Sequence, residues 1–374
     1  MKLFVISRVR LIEISINLLI MVFIITTLIH KLEIYQLNFI NQPLLVALGL
    51  TISFFIGISM KKEPLINNRI PKTILLICFV FIFILFNSFF IRFHFMFGAV
   101  FSLITGVAFG KQLSVNKNST WIMLIPFWLL SFYIIIQLLG NPNANAVFIR
   151  SRNYISFYLI ITVLPYYFIK LKNFEYASII PSIITLLLSV YSLGRSGVIA
   201  SFVLFIGISL QYFKTMKAKI IAVLSIFLVS ILFLWFFIDY FDLFLIIEKF
   251  QNIDGMKSIG GRTDFLFNYY NHSDLFGLIF GVDTNTPAIL LHGSYLASHI
   301  HSSILNFISV AGIFSIVFFY FLYKKMKMFY KYNSTLNFLV IALLLRVATD
   351  DGLLFDYFDY TLWMFLLFNF KSIH

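Results

Sequence analysis

The chain has 374 residues, of which 61% are hydrophobic and only 11% are charged. A soluble globular domain carries about a quarter charged residues, so this composition excludes an ordinary soluble enzyme, a disordered chain and a coiled coil. With a mean hydropathy of +0.96, the chain is predicted to be an all-α polytopic integral membrane protein. The net charge of +13 therefore reports membrane sidedness and does not suggest nucleic-acid binding.

The apolar segments predict the number and positions of the membrane spans. A membrane-spanning helix needs about 20 mostly apolar residues. By this measure the sequence predicts about twelve spans in a single membrane domain that covers residues 1–374. In chain order they lie near 11–29, 43–60, 73–91, 94–110, 120–139, 154–169, 177–194, 197–213, 220–238, 303–323, 336–348 and 354–370.

One connection, residues 239–302 between the ninth and tenth predicted spans, is much longer than the others. It is too short for a robust independent domain. We expect a loop on the outer side of the membrane, which is the periplasm in a bacterium, that packs on the helix bundle as a cap. Long loops of this kind tend to carry function.

The positive residues predict the orientation. About two thirds of the 28 Lys and Arg residues fall in the connections on the same side as both termini, so the positive-inside rule places both termini in the cytoplasm.

The two basic residue types are distributed differently. Most lysines lie on the predicted cytoplasmic side, whereas most arginines lie outside or at the outer membrane edge. Since arginine offers a planar, permanently charged fork for phosphate or carboxylate, this difference suggests an anionic ligand on the outer face. Interface anchoring, or pairing with outer carboxylates, is the alternative. The outer arginines are Arg92, Arg150, Arg152, Arg195, Arg262 and Arg346.

A corner of small residues, SLGRSG at 192–197, joins two predicted spans at the outer edge. A charge such as that of Arg195 is costly at membrane depth and is usually functional. The glycines allow a sharp turn with exposed N–H groups, which favours anion binding. The alternative is an interfacial hairpin whose arginine extends to the lipid head groups.

The long loop contains a second arginine motif, GGRTD at 260–264. Thr263 or Asp264 can cap a following helix, and the free N–H groups of that helix start would join Arg262 in binding a phosphate. The alternative is a capped loop helix with a local ion pair.

Two histidines, His299 and His301, precede the span at which the long loop re-enters the membrane. A metal site would need further ligands at suitable spacing. Since His292 is the one nearby histidine and no cysteine accompanies it, no metal is predicted. A histidine at an outer helix start is better interpreted as a proton acceptor for a hydroxyl group, with a capping or interface role as the alternative.

A fourth group, Arg346 with Asp350 and Asp351, lies near the outer end of a late span. The carboxylates could bind sugar hydroxyls or act as acid or base, although capping the next turn is the favoured interpretation. The sequence has no Walker A loop, dinucleotide glycine pattern, HExxH or GxSxG. These absences argue against a nucleotide-driven pump, and no cofactor is predicted.

The order of three motifs resembles the bacterial O-antigen ligase and O-antigen polymerase superfamily. Arg195 lies in the small-residue corner, Arg262 lies in the long outer loop, and His301 opens the next span with Gly312 eleven residues on. The resemblance covers roughly residues 175–325. Ligases of this family usually have His-Asn in the last motif, whereas this chain has His301-Ser302.

The resemblance implies a transferase that takes a glycan from a polyprenyl-diphosphate donor at the outer face of the cytoplasmic membrane, without nucleotide sugar or metal. Arg195 and Arg262 would hold the donor diphosphate, and His301 would lie near the acceptor hydroxyl as general base or positioner. Further substrate contacts are expected from Arg150, Arg152, Asp264, His299, Arg346 and Asp350. Expected partners are an undecaprenyl-diphosphate-linked oligosaccharide, the lipid bilayer and a chain-length regulator protein, with no nucleic acid.

Polymerase and ligase differ in their acceptor, which is a lipid-linked repeat unit or lipid A-core. The His-Ser variant and the compact chain favour a repeat-unit polymerase of O-antigen, capsule or exopolysaccharide. A lipid-linked oligosaccharide flippase is the competing class, because twelve spans would suit it. A transporter should place ionisable residues at mid-membrane and show repeat symmetry, whereas this sequence places its charges near the outer edge.

Overall fold

The computed structural model describes residues 8–32, 42–61, 93–117, 120–140, 154–192, 194–213, 217, 275–281, 302–349 and 356–368. Within these ranges every regular element is helical and there is no strand, which confirms the all-α prediction for this part of the chain. A 3-10 turn, Ile122–Leu124, precedes the fourth helix. The α-helices are α1 (Arg8–Lys31), α2 (Gln42–Lys61), α3 (Phe93–Val115), α4 (Ile125–Gly140), α5 (Tyr154–Lys172), α6 (Ile180–Tyr191), α7 (Arg195–Leu210), α8 (Leu275–Phe280), α9 (Ser303–Ala311), α10 (Phe314–Tyr332), α11 (Thr335–Val347) and α12 (Tyr360–Leu367).

Four helices in the described ranges are long and apolar enough to cross a membrane: Arg10–Lys31, Gln42–Ser59, Ile122–Gly140 and Tyr154–Lys172. Several others are apolar but shorter. These helices fit an α-helical membrane protein, and the number of spans stays a prediction. The predicted spans near 73–91 and 220–238, and most of the loop 239–302, lie outside the described residues.

Helix α5 lies at the centre of the bundle. It packs against α3, α4, α6, α7, α11 and α12, and nearly every side chain from Ile155 to Lys172 is buried. A helix that is apolar on all sides requires such surroundings. The hydroxyl of Thr162 donates to the carbonyl of Tyr158 at 2.7 Å, so this polar group is satisfied within its own helix. The centre of the core is thus a single helix, which connects the two ends of the bundle.

Two glycines bring α3 and α12 into close contact. A Cβ atom at Gly106 would lie 2.5 Å from Cδ1 of Trp363, and one at Gly110 would lie 2.6 Å from Cβ of the same tryptophan. Small residues four positions apart form such a face on a helix. The indole ring of Trp363 is buried against this face, which fixes α12 along α3.

The segment predicted as one span at 303–323 is two helices, α9 and α10, separated at Gly312. Gly312 has a φ of 53°, and a Cβ there would lie 2.5 Å from the carbonyl oxygen of Ile279. The N–H of Ile313 donates to the carbonyl of Leu278 at 3.1 Å. The end of α8, a helix within the segment 239–302, thus packs against the break between α9 and α10.

Helix ends that the sequence predicts on the same side of the membrane are in contact. At one end, Lys31 of α1 forms a 2.8 Å ion pair with Asp356, just before α12. At the opposite end, the backbone N–H of Lys117 donates to Glu13 at 2.8 Å. We name these the outer and inner ends after the predicted orientation, which itself stays a prediction.

Candidate functional site

The structure describes two of the predicted site residues. Arg346 is described in full, and Arg195 is described for its backbone alone. The others lie outside the described residues: Arg150, Arg152, Arg262, Asp264, His299, His301 and Asp350.

Arg346 lies in the last turn of α11, where a cation interacts favourably with the helix dipole. Its side chain is fully buried, at 0% exposure. The guanidinium Nη1 donates to the hydroxyl of Ser196 at 2.7 Å and to that of Thr349 at 3.2 Å. Because α11 packs on α5 and α7, the guanidinium lies between three helices at the outer end.

Ser196 belongs to the small-residue corner, and it follows Arg195 directly. Gly194 is the N-cap of α7 in an extended conformation, and Arg195 is the first residue of that helix. The fold therefore brings Arg346 to within one residue of Arg195, although 150 positions separate Arg346 from Ser196. The N-terminus of α7 adds its N–H groups at the same place, and a helix start favours an anion.

Close packing fixes the position of this corner. A Cβ atom at Gly197 would lie 2.7 Å from Cβ of Ser156, so α7 approaches α5 with no space for a side chain. The hydroxyls of Ser189 and Ser201 are 2.7 Å apart and join α6 to α7. The backbone on either side of Arg195 is thus held by neighbouring helices.

An aromatic cluster that contacts the guanidinium through Phe157 lies next to the corner. Cζ of Arg346 lies 6.0 Å from the ring centroid of Phe157, within the range of a cation–π interaction. Tyr158 stacks on Tyr154 at 5.8 Å between ring centroids, and it also contacts Phe358 at 5.7 Å. The desolvated cation thus packs against the aromatic part of the core.

The start of α9 bears on the histidine motif. The side chain of Ser302 accepts a hydrogen bond from the N–H of Leu305 at 3.3 Å, so Ser302 is the N-cap of α9. Serine and asparagine are both good N-cap residues, so Ser302 can cap α9 as an asparagine at this position would. His301 itself precedes this cap and lies outside the described residues.

The sequence does not reveal the role of Ser196, the burial of Lys172 or the half-buried position of Lys325 at the inner end. Lys172 is buried at 2% exposure, and Lys325 donates to the backbone carbonyl of Phe368 at the end of α12. In the sequence both lysines match the positive-inside pattern, so no local signal distinguishes them. In the described ranges no three His, Cys, Asp or Glu residues are grouped so as to hold a metal ion.

Comparisons with known proteins give no match to any family model, curated protein or solved structure.

Proposed function

We propose that the chain is a repeat-unit polymerase that transfers a glycan from undecaprenyl diphosphate to a lipid-linked repeat unit at the outer face of the bacterial cytoplasmic membrane. The observation that carries this proposal is the buried guanidinium of Arg346, which bonds to Ser196 beside Arg195. The motif order of Arg195, Arg262 and His301 supplies the reaction class.

The position of Arg346 supports an anionic substrate. A permanently charged group is costly to bury within a helix bundle, and such residues usually mark a functional site. The buried charge of Arg346 lies at the corner that also contains Arg195 and the N-terminus of α7. The buried guanidinium of Arg346 beside the N-terminus of α7 gives this corner a positive potential, and the guanidinium of Arg195 would add a two-oxygen contact to a diphosphate bound there.

In the proposed reaction an acceptor hydroxyl oxygen attacks the anomeric carbon of the donor glycan. The new carbon–oxygen bond forms while the bond from that carbon to the diphosphate oxygen breaks, and the electron pair remains on undecaprenyl diphosphate. Arg195 and Arg262 offset the charge that develops on this leaving group. His301 takes the proton of the acceptor hydroxyl.

The remaining predicted residues would bind the sugars around this centre. Arg346 holds the corner through Ser196 and adds positive charge behind the diphosphate. The outer-face residues Arg150, Arg152, Asp264, His299 and Asp350 would contact the donor and acceptor glycans.

The proposal is tested by replacing the three central residues in the living cell. Arg195→Ala, Arg262→Ala and His301→Ala should each abolish long-chain polysaccharide, since loss of one charged or proton-accepting group costs about 100- to 1,000-fold in rate. Chain length is measured on gels as the ladder of repeat units, with the amount of protein in the membrane measured in parallel.

Lys327→Ala is the matched control, because Lys327 is an exposed cation at the inner end. Its ladder should equal that of the unchanged protein. Normal ladders in both arginine variants, at normal protein levels, would overturn the assignment of the diphosphate site.

A further inference from the structure

Three lysines gather at the inner end of the bundle, away from the corner. Lys111 lies in the last turns of α3, Lys172 ends α5, and Lys325 lies in α10. Helix α12 packs against α3, α5 and α10, so the three helices converge where α12 ends. The ring of Phe168, one turn before Lys172, lies 5.5 Å from that of Phe368, whose carbonyl accepts a hydrogen bond from Lys325. Nζ of Lys172 reaches the carbonyl of Leu113, two residues after Lys111, so the three lysines form one inner lysine cluster.

The hydrogen bonds of this inner lysine cluster go to backbone carbonyls. Nζ of Lys172 donates to the carbonyl of Leu113 at 2.7 Å, and Nζ of Lys325 donates to that of Phe368 at 2.5 Å. Both carbonyls lie at helix C-termini, which attract cations. Neither of the ion pairs in the described ranges includes one of these lysines.

The cluster keeps an excess of positive charge, because Glu13 contributes one negative charge near Lys172 whereas Lys117 adds a further positive charge there. Each ammonium group has three N–H donors, and the described bonds use one on Lys172 and one on Lys325. Burial, followed by the charge of Lys111, lowers the pKa of Lys325 to about 8. A bound anion stabilises an ammonium group that lies near other positive charges and is partly removed from water.

The level of the cluster in the membrane identifies the class of anion. Lys111, Lys172 and Lys325 each lie within a few residues of the inner end of a predicted span, at 110, 169 and 323. Lipid phosphates lie at this depth, and basic sites between helices on the cytoplasmic side bind anionic head groups. Lys111 and Lys325 are half-buried and accessible to such a group, whereas Lys172 is buried behind them.

We propose that the phosphate of an anionic phospholipid from the inner leaflet binds to Lys111 and Lys325, with the positive charge of Lys172 behind it. The bound lipid would join α3 to α10 at the inner end. This site is independent of the proposed transferase activity, because it lies at the opposite end of the bundle.

The test measures binding of phosphatidylglycerol to the purified full chain in a neutral detergent, by native mass spectrometry and by the rise in thermal denaturation temperature. Lys111→Gln and Lys325→Gln should each weaken phosphatidylglycerol binding about fivefold. The matched control is Lys327→Gln, an exposed lysine on the same helix as Lys325, which should leave binding unchanged.

Two further probes separate the sources of phosphate. Phosphatidylcholine and inorganic phosphate should each bind at least tenfold more weakly than phosphatidylglycerol. Equal binding of phosphatidylcholine, equal stabilisation by inorganic phosphate, or unchanged affinity in both glutamine variants would overturn the proposal. If a glutamine variant does not fold, Lys111→Arg and Lys325→Arg keep the charge and should retain binding, and loss of binding in both would also overturn it.

Discussion

At the scale of single residues, Arg346 is the position on which the account depends most. Its guanidinium is fully buried, and its Nη1 donates to two hydroxyl groups. The sequence indicated that Arg346 lies at the outer end of a span. It gave no means of finding Ser196 as a partner, because the pairing depends on how α11 packs against α7.

The bond between Arg346 and Ser196 should contribute measurably to stability. Ser196→Ala removes one acceptor from a charged donor, which is expected to lower the free energy of unfolding by about 1.5–3 kcal/mol. The measurement is thermal or denaturant unfolding of the purified chain in detergent.

Ser15→Ala is the control for that measurement. The hydroxyl of Ser15 bonds to the carbonyl of Leu11 within its own helix, on an exposed face, and its removal should have little effect. Equal stabilities of the two variants would show that Arg346 does not depend on Ser196.

At the scale of helices, the contact of α3 with α12 rests on glycine. The sequence shows Gly106 and Gly110 in an apolar segment rich in small residues. The sequence does not show that Trp363 packs against these glycines, because a hydropathy profile does not tell which helix α12 contacts. The packing distances supply this information.

Gly110→Ala should destabilise the bundle by about 1–3 kcal/mol. The new Cβ would lie 2.6 Å from Cβ of Trp363 and 2.8 Å from the backbone N of Met364, so α12 must move as a whole. Gly57→Ala is the matched control on α2, since a Cβ there meets nothing within 4 Å. It should be neutral or slightly stabilising. The midpoint of thermal unfolding in detergent distinguishes the two variants. Equal midpoints would contradict the close packing of α3 against α12.

The break between α9 and α10 shows the limit of prediction at this scale. Residues 303–323 have the hydropathy of one span, and a hydropathy profile carries no information on φ. The sequence singles out Gly312 by its distance from His301. Its positive φ, and the hydrogen bonds from the next residue to the carbonyls of Leu278 and Ile279, are known from the structure alone. Helix α8, which lies within residues 239–302, contacts the bundle at this glycine.

At the scale of the whole molecule, the two ends differ in chemistry. The outer end has buried Arg346 beside the small-residue corner, and the inner end has the lysine cluster. The different distributions of arginine and lysine in the sequence predict such a division, and the side of the membrane on which each end lies stays a prediction. Composition sufficed for the helical class because apolar residues dominate throughout, whereas the geometry of the site depends on long-range packing that no single segment specifies.

The glycan profile of a bacterial strain that lacks this chain tests the central claim most directly. A repeat-unit polymerase is needed to join the units but not to attach the first one. The account therefore predicts lipid A-core carrying a single repeat unit, with long chains restored by the unchanged gene. Core without any repeat unit would indicate a ligase, lipid-linked units retained inside the cell would indicate a flippase, and either result would contradict the account.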